Sequence, residues 1–198
     1  MQTTYPLATS TWGDEELQAI KEVMDTGRFT MGPKVFAFEK EFAKKFGATD
    51  AVMVNSGSTA NLLMLSLLKW KYNLHKKPNA NVIVPTVGWS TTYFPVTQND
   101  FLLNFVDVDP NTFNIDVTKI EQAIDGGTVA IMPVNLCGNS CDYDALKAIC
   151  TKHNLLLIED NCESMGATYN DKYCGTHGTM GSHSFFFSHH LQTMEGGM

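Results

Sequence analysis

The chain has 198 residues, 43% hydrophobic and 18% charged with 15 glycines, a composition that can bury a sizeable core and excludes a disordered or fibrous protein. A formal charge of −7 and a pI near 5.3 argue against a nucleic-acid partner, since such binding draws on Lys and Arg that displace counterions. No apolar run approaches the roughly 18 residues needed to span a bilayer, and MQTTYPLATS lacks the basic and apolar regions of a signal peptide, so the expected location is the cytoplasm, away from any membrane.

Residues 14–27, DEELQAIKEVMDTG, place Leu17, Ile20, Val23 and Met24 at helical spacing behind an acidic first turn, which predicts an amphipathic surface helix ending at Gly27. A second helix is predicted in PKVFAFEKEFAKKFG, with Pro33 in its first turn, a stripe of Val35, Phe38, Phe42 and Phe46, and Gly47 as its stop. Residues 1–50 are therefore expected to form an N-terminal helical segment. From residue 51 short apolar runs alternate with helical stretches: AVMVN, a helix over about 58–72, NVIVP, a helix near 90–98, LLNFVDVD, TVAIMPVNL, the helix DYDALKAICTKHN, LLLIEDN and a final strand SHSFFFS. Continuous apolar strands separated by helices predict an α/β domain over 51–198, its mostly parallel sheet covered by helices on both faces. Cys137, Cys141, Cys150, Cys162 and Cys174 are an odd set in a chain too large to need staples, and are expected to be reduced thiols. The stop at Met198, straight after Glu195-Gly196-Gly197, reads as a truncated chain.

In such sheets ligands sit beyond the carboxyl ends of the strands. Asn55 to Thr59 reads as strand, small-residue turn and helix, either an anion cradle of backbone N–H groups and the Ser58 and Thr59 hydroxyls or an ordinary Ser/Thr N-cap. Asp160 closes an apolar strand, where a carboxylate needs a cationic or N–H partner; a turn aspartate is the alternative. Trp89, between Gly88 and Ser90, either covers a planar ligand or belongs to the core. His189 and His190 follow the aromatic run before a Glu-Gly-Gly turn, where an imidazole can act as a base near neutral pH. Adjacent histidines diverge, and neither H-x3-H nor C-x2-C accompanies them, so no metal is expected.

The ordered set TMGPKVFAFE, NSGSTAN, Trp89, EDNCESMGA and SFFFSHHLQTMEGG resembles the DegT/DnrJ/EryC1/StrS sugar aminotransferases, which have the aspartate aminotransferase-like, type I fold for pyridoxal 5'-phosphate. The resemblance runs over essentially the whole chain. In that family a lysine five residues after the position of Ser184 binds the cofactor aldehyde covalently. Here His189 stands there, and an imidazole cannot form that bond. The resemblance implies a histidine-bearing branch, the sugar 3-dehydratases, which use pyridoxamine 5'-phosphate to remove the C3 hydroxyl of a nucleotide-linked 4-keto-6-deoxyhexose in lipopolysaccharide synthesis, with glutamate as amino donor. Glu163 and the tail HHLQTMEGG are nearer to the type acting on GDP-linked than on CDP-linked sugars.

Carried over by position, the resemblance implies Gly57, Ser58 and Ser184 on the cofactor phosphate, Trp89 against its ring, Asp160 on its pyridinium nitrogen and Glu163 near its polar edge. His189 is then the base that removes a proton from the cofactor's methylene carbon. Shifting the match by one residue gives that role to His190. A homodimer is implied, with a neighbouring subunit completing each site. The alternatives are a sugar aminotransferase of the same family and a truncated, non-catalytic binding relic.

Overall fold

The structure is a computed structural model that describes residue 5 and residues 9–198. The chain divides into two compact units, Met1–Met53 and Val54–Met198.

In the first unit, helix α1 (Asp14–Asp25) has three acidic residues in its first turn, and the Glu16 carboxylate accepts the Gly13 N–H at 2.7 Å. That bond satisfies one of the donors a helix start leaves unpaired. Its apolar stripe is not in the core: Leu17 and Met24 are 59% and 61% exposed, and Ile20 and Val23 are half-buried. Helix α2 (Pro33–Phe46) starts on Pro33 and ends at Gly47, which takes the left-handed conformation at φ 71° that favours glycine. Phe38, Phe42 and Phe46 stack along one face, with ring centroids 5.8 and 4.4 Å apart.

The second unit is built on a five-stranded parallel sheet. Its strands are β1 (Asn81–Pro85), β2 (Leu102–Val106), β3 (Thr128–Ile131), β4 (Leu156–Asp160) and β7 (Met180–Ser182), in the order β2-β1-β3-β4-β7. Alternate residues serve opposite faces, as the pleat requires. Val82, Val84, Ala130, Met132 and Ile158 pack with Met64, Leu65 and Leu68 of α3 (Gly57–Lys71) and Val96 of α4 (Ser90–Gln98). Ile83, Ile131 and Leu157 pack with Ile120 of α5 (Val117–Ala123) and with Tyr143, Leu146 and Cys150 of α6 (Tyr143–His153). Each fully buried aliphatic side chain contributes roughly 1.5–3 kcal/mol. The predicted parallel sheet with helices on both faces is therefore present, and all five cysteines are free thiols.

Two predicted strands are corrected. AVMVN forms no ladder strand: only Val54 and Ser56 bridge, to Gly197 and Gly196. The last strand is β7, ending at Ser182 rather than running through SHSFFFS, because beyond it His183 exchanges backbone bonds with Met198 and the Phe185 N–H donates to the Gly196 carbonyl. Two elements escaped the periodicity. Helix α5 is only seven residues long, too short to show a helical period, and is started by the Asp116 side chain accepting the Thr118 N–H. The hairpin β5 (Thr168–Tyr169) and β6 (Lys172–Tyr173) turns on Asn170 and Asp171, both at positive φ, as the tight turns that match strand twist require.

Candidate active site

Asp160 is the last residue of β4 and points to the α3/α4 face, 4% exposed. Its Oδ2 accepts the Asn61 Nδ2–H at 2.9 Å and the Thr92 hydroxyl at 2.7 Å, and its Oδ1 accepts the Cys162 N–H at 3.2 Å. A carboxylate offers about four acceptor positions, and beyond these three bonds only the Cys162 thiol, a weak donor, reaches Asp160. Among the described residues Asp160 makes no ion pair. A buried carboxylate with a spare acceptor and no cation beside it suits a positively charged N–H donor.

Beside it, α3 begins on Ser56, whose Oγ caps the Thr59 N–H at 3.1 Å. The geometry of a helix start leaves the Gly57 and Ser58 N–H groups without intrahelical acceptors, at the positive end of the helix dipole. Gly57 is buried so tightly that a Cβ there would lie 2.7 Å from both the Cys162 Sγ and the Ser184 Cβ. Only glycine lets α3, the turn after β4 and the segment after β7 meet at this point. Ser58 is half-buried, and the buried Ser184 accepts the Phe186 N–H on its Oγ at 3.4 Å. Donors converging at a helix N-terminus make a seat for a phosphate.

Glu163 is half-buried, and its Oε2 accepts the Cys137 N–H at 3.1 Å. His189 is half-buried, its N–H bonded to the Phe186 carbonyl at 2.9 Å and its ring 6.4 Å from that of Phe186. Burial holds its pKa below the usual 6.5, with His190 adding to the depression and the charges of Glu163 and Asp160 opposing it. A neutral imidazole in the field of two carboxylates can take up a proton and be stabilised once it has done so. His190 is exposed. Trp89 stands at the N-cap of α4, 70% exposed, so its indole is not part of the core.

The structure thus brings Gly57, Asp160 and Ser184 together around Cys162, with Ser58 next in chain to Gly57. Glu163 and His189 share one electrostatic neighbourhood with Asp160. Trp89 is tied in through Thr92, whose N–H donates to the Trp89 carbonyl at 2.9 Å. Asn61 and Thr92 were missed in the sequence. The signal for Asn61 was a polar residue within the buried stripe Ala60, Met64, Leu65, Leu68; Thr92, in a run of small polar residues, gave none. Cys162, expected only to be a reduced thiol, lies at the centre of the cluster, and burial raises its pKa well above that of an ordinary thiol. Among the described residues no group of three or more His, Cys, Asp or Glu is gathered that could hold a metal ion.

With this geometry in hand, the chain was compared with known proteins. It is 51% identical over 193 residues to the GDP-4-keto-6-deoxy-D-mannose 3-dehydratase of Escherichia coli O55:H7 (strain CB9615 / EPEC), covering 98% of this chain and 50% of that protein. Among solved structures, it matches a histidine-to-asparagine variant of GDP-4-keto-6-deoxymannose-3-dehydratase with bound GDP-perosamine, at 51% identity and a TM-score of 0.92, over 98% of this chain and 50% of the other. It also matches the same enzyme with a trapped PLP-glutamate geminal diamine, at 50% identity and a TM-score of 0.92, over the same shares. The chain spans about half the length of the curated relatives it matches. The profile of one family covers residues 10–198, and the chain accordingly belongs to the DegT/DnrJ/EryC1/StrS aminotransferase family.

Proposed function

We propose that this chain carries the cofactor site of a pyridoxal/pyridoxamine 5'-phosphate-dependent sugar 3-dehydratase that removes the C3 hydroxyl of GDP-4-keto-6-deoxy-mannose in deoxysugar and lipopolysaccharide synthesis. The observation that carries this reading is His189, a half-buried imidazole held neutral beside two carboxylates, in a chain 51% identical to such dehydratases. The residues fit the cofactor. Asp160 keeps one buried acceptor position that only the weakly donating Cys162 thiol reaches, and Gly57 admits no Cβ at the helix start that faces Ser184.

When bound, pyridoxamine phosphate supplies an amine that condenses with the sugar ketone and a ring that draws electrons towards its nitrogen. Asp160 would hold the proton on that nitrogen. The Gly57 and Ser58 N–H groups and the Ser184 hydroxyl would hold the phosphate, Trp89 would cover the ring and Glu163 would serve its polar edge. His189 takes a proton from the cofactor's methylene carbon, since an imidazole whose pKa burial has lowered is free to accept one at neutral pH. Glutamate is the amino donor that restores the amine form. The family resemblance implies a cytoplasmic homodimer for the working enzyme; among the described residues no helix is long and apolar enough to cross a membrane. The chain's acidity argues against a nucleic-acid partner.

The test is incubation with pyridoxamine phosphate, glutamate and GDP-4-keto-6-deoxy-mannose, with the sugar product weighed by mass spectrometry. Loss of the C3 oxygen with the ketone retained is expected. An amino group at C4 would assign the chain to the aminotransferases instead, and a binding-only relic would return the substrate unchanged. His189→Lys should attach the cofactor aldehyde covalently, with the matching absorbance change, and abolish dehydration.

A further inference from the structure

Two helices reach the same oxygen of Asp160. From α3 comes Asn61, 1% exposed, with Nδ2 2.9 Å from Oδ2; from α4 comes Thr92, also 1% exposed, with its hydroxyl 2.7 Å from Oδ2. These two bonds fill the acceptor positions of Oδ2 and leave the spare one on Oδ1. The Asn61 amide is oriented for this purpose at a cost. Its Nδ2 also donates to the Thr91 carbonyl at 3.3 Å, while its buried Oδ1 has no hydrogen-bond partner. A buried acceptor left unpaired calls for a reason. Flipping the amide would aim Oδ1 at a carboxylate and a carbonyl, so the charge of Asp160 fixes the orientation.

We propose that Asn61 and Thr92 are the positioning residues of Asp160, locking its carboxylate so that Oδ1 alone faces the cofactor ring nitrogen. The idea rests on the cofactor reading above. Asn61 lies one helical turn beyond Gly57, so the α3 turn that offers N–H groups to the phosphate also sets the Asp160 carboxylate. Thr92 lies three residues beyond Trp89, so the helix that presents the indole presents the second donor. Phosphate seat, ring cover and ring-nitrogen acceptor are thereby keyed to one another through two hydrogen bonds.

The test is a double-mutant cycle on the full chain, read first as the dissociation constant for pyridoxamine phosphate. Loss of one hydrogen bond to a charged group should weaken binding about 10-fold in Thr92→Val. Thr92→Ser, which keeps the hydroxyl, should restore it. In an Asp160→Ala background Thr92→Val should change nothing further, because a residue acting only through Asp160 has nothing left to act on. Unaltered binding by Thr92→Val, or the same loss with and without Asp160, overturns the proposal. Should Thr92→Val fail to fold, Asn61→Ala removes the other donor and is read in the same cycle.

The cycle is then repeated as thermal unfolding of the cofactor-free chain. If the wild type binds no pyridoxamine phosphate, the proposed function fails. The unfolding cycle then decides the locking by itself: coupling between Thr92 and Asp160 upholds it, and strict additivity overturns it.

Discussion

Glu159 and Asp160 are neighbours in the sequence and both are buried at the end of β4, yet they do opposite work. The pleat sends Glu159 to the α5/α6 face and Asp160 to the α3/α4 face. Glu159, 0% exposed, is surrounded by four donors from its own wall of the fold: the Gly175 N–H at 2.6 Å, the Gly178 N–H at 2.5 Å, the His177 N–H and the Tyr143 hydroxyl. It ties down the loop in which His177 stacks on Tyr143 at 4.1 Å between ring centroids. Asp160 has both acceptor positions of one oxygen taken by Asn61 and Thr92, while the other oxygen accepts the Cys162 N–H and has only the weak Cys162 thiol beside it. A buried carboxylate whose acceptors are all used holds structure together; one with an acceptor to spare is available to a ligand.

The largest effect should come from the saturated side. Glu159→Ala leaves the Gly175 and Gly178 N–H groups without their acceptor and opens a cavity in the core, and should cost about 3–5 kcal/mol, measured by urea unfolding. Burial also raises the Glu159 pKa above its usual 4.5, against the pull of its donors. Between 4.5 and that raised value the native chain keeps a proton that the unfolded chain has lost, so stability falls as pH rises through the window. Glu159→Gln should remove that decline; an unchanged pH profile would mean that Glu159 is not the group responsible.

Next in size is His183, buried against Asn161 on the same strand end and pushed down to about 4 by desolvation, with Asp160 opposing. Between 6.5 and about 4 the unfolded chain binds a proton that the native one does not, so stability should be lost as pH falls through that interval, by about 3 kcal/mol. His183→Gln should flatten that part of the curve.

On the open side, Gly57→Ala should cost about 3 kcal/mol as its methyl group presses on Cys162 and Ser184, with a parallel loss of phosphate affinity. Asp160→Asn should change unfolding by only about 1 kcal/mol while weakening pyridoxamine phosphate binding about 10- to 100-fold, because an amide cannot pair with a cationic nitrogen as a carboxylate does. Equal losses of stability at positions 159 and 160 would abolish the contrast.

Much of this was legible in the chain itself. Continuous apolar runs such as NVIVP and LLLIE mark strands buried on both faces, and β1 and β4 lie there. Caps and stops placed α2 and α6 to within a residue or so. Elements held mainly by partners distant in sequence were not legible. Residues 51–55 carry the composition of a strand but bridge only through Val54, and the length of β7 depends on what the chain end pairs with.

Of the candidate site, the residue types and their order along the chain were visible: Gly57, Ser58, Trp89, Asp160, Glu163, Ser184 and His189. How they act on one another was not. That Asn61 and Thr92, 99 and 68 residues from Asp160, close on a single oxygen follows from the crossing of α3 and α4 over the sheet. The sequence by itself determined the pattern of burial and the chemical groups, because periodicity and side-chain chemistry are local properties. Only the tertiary structure decided which of two adjacent carboxylates keeps a free acceptor, because that depends on which donors the fold delivers to each face of one strand.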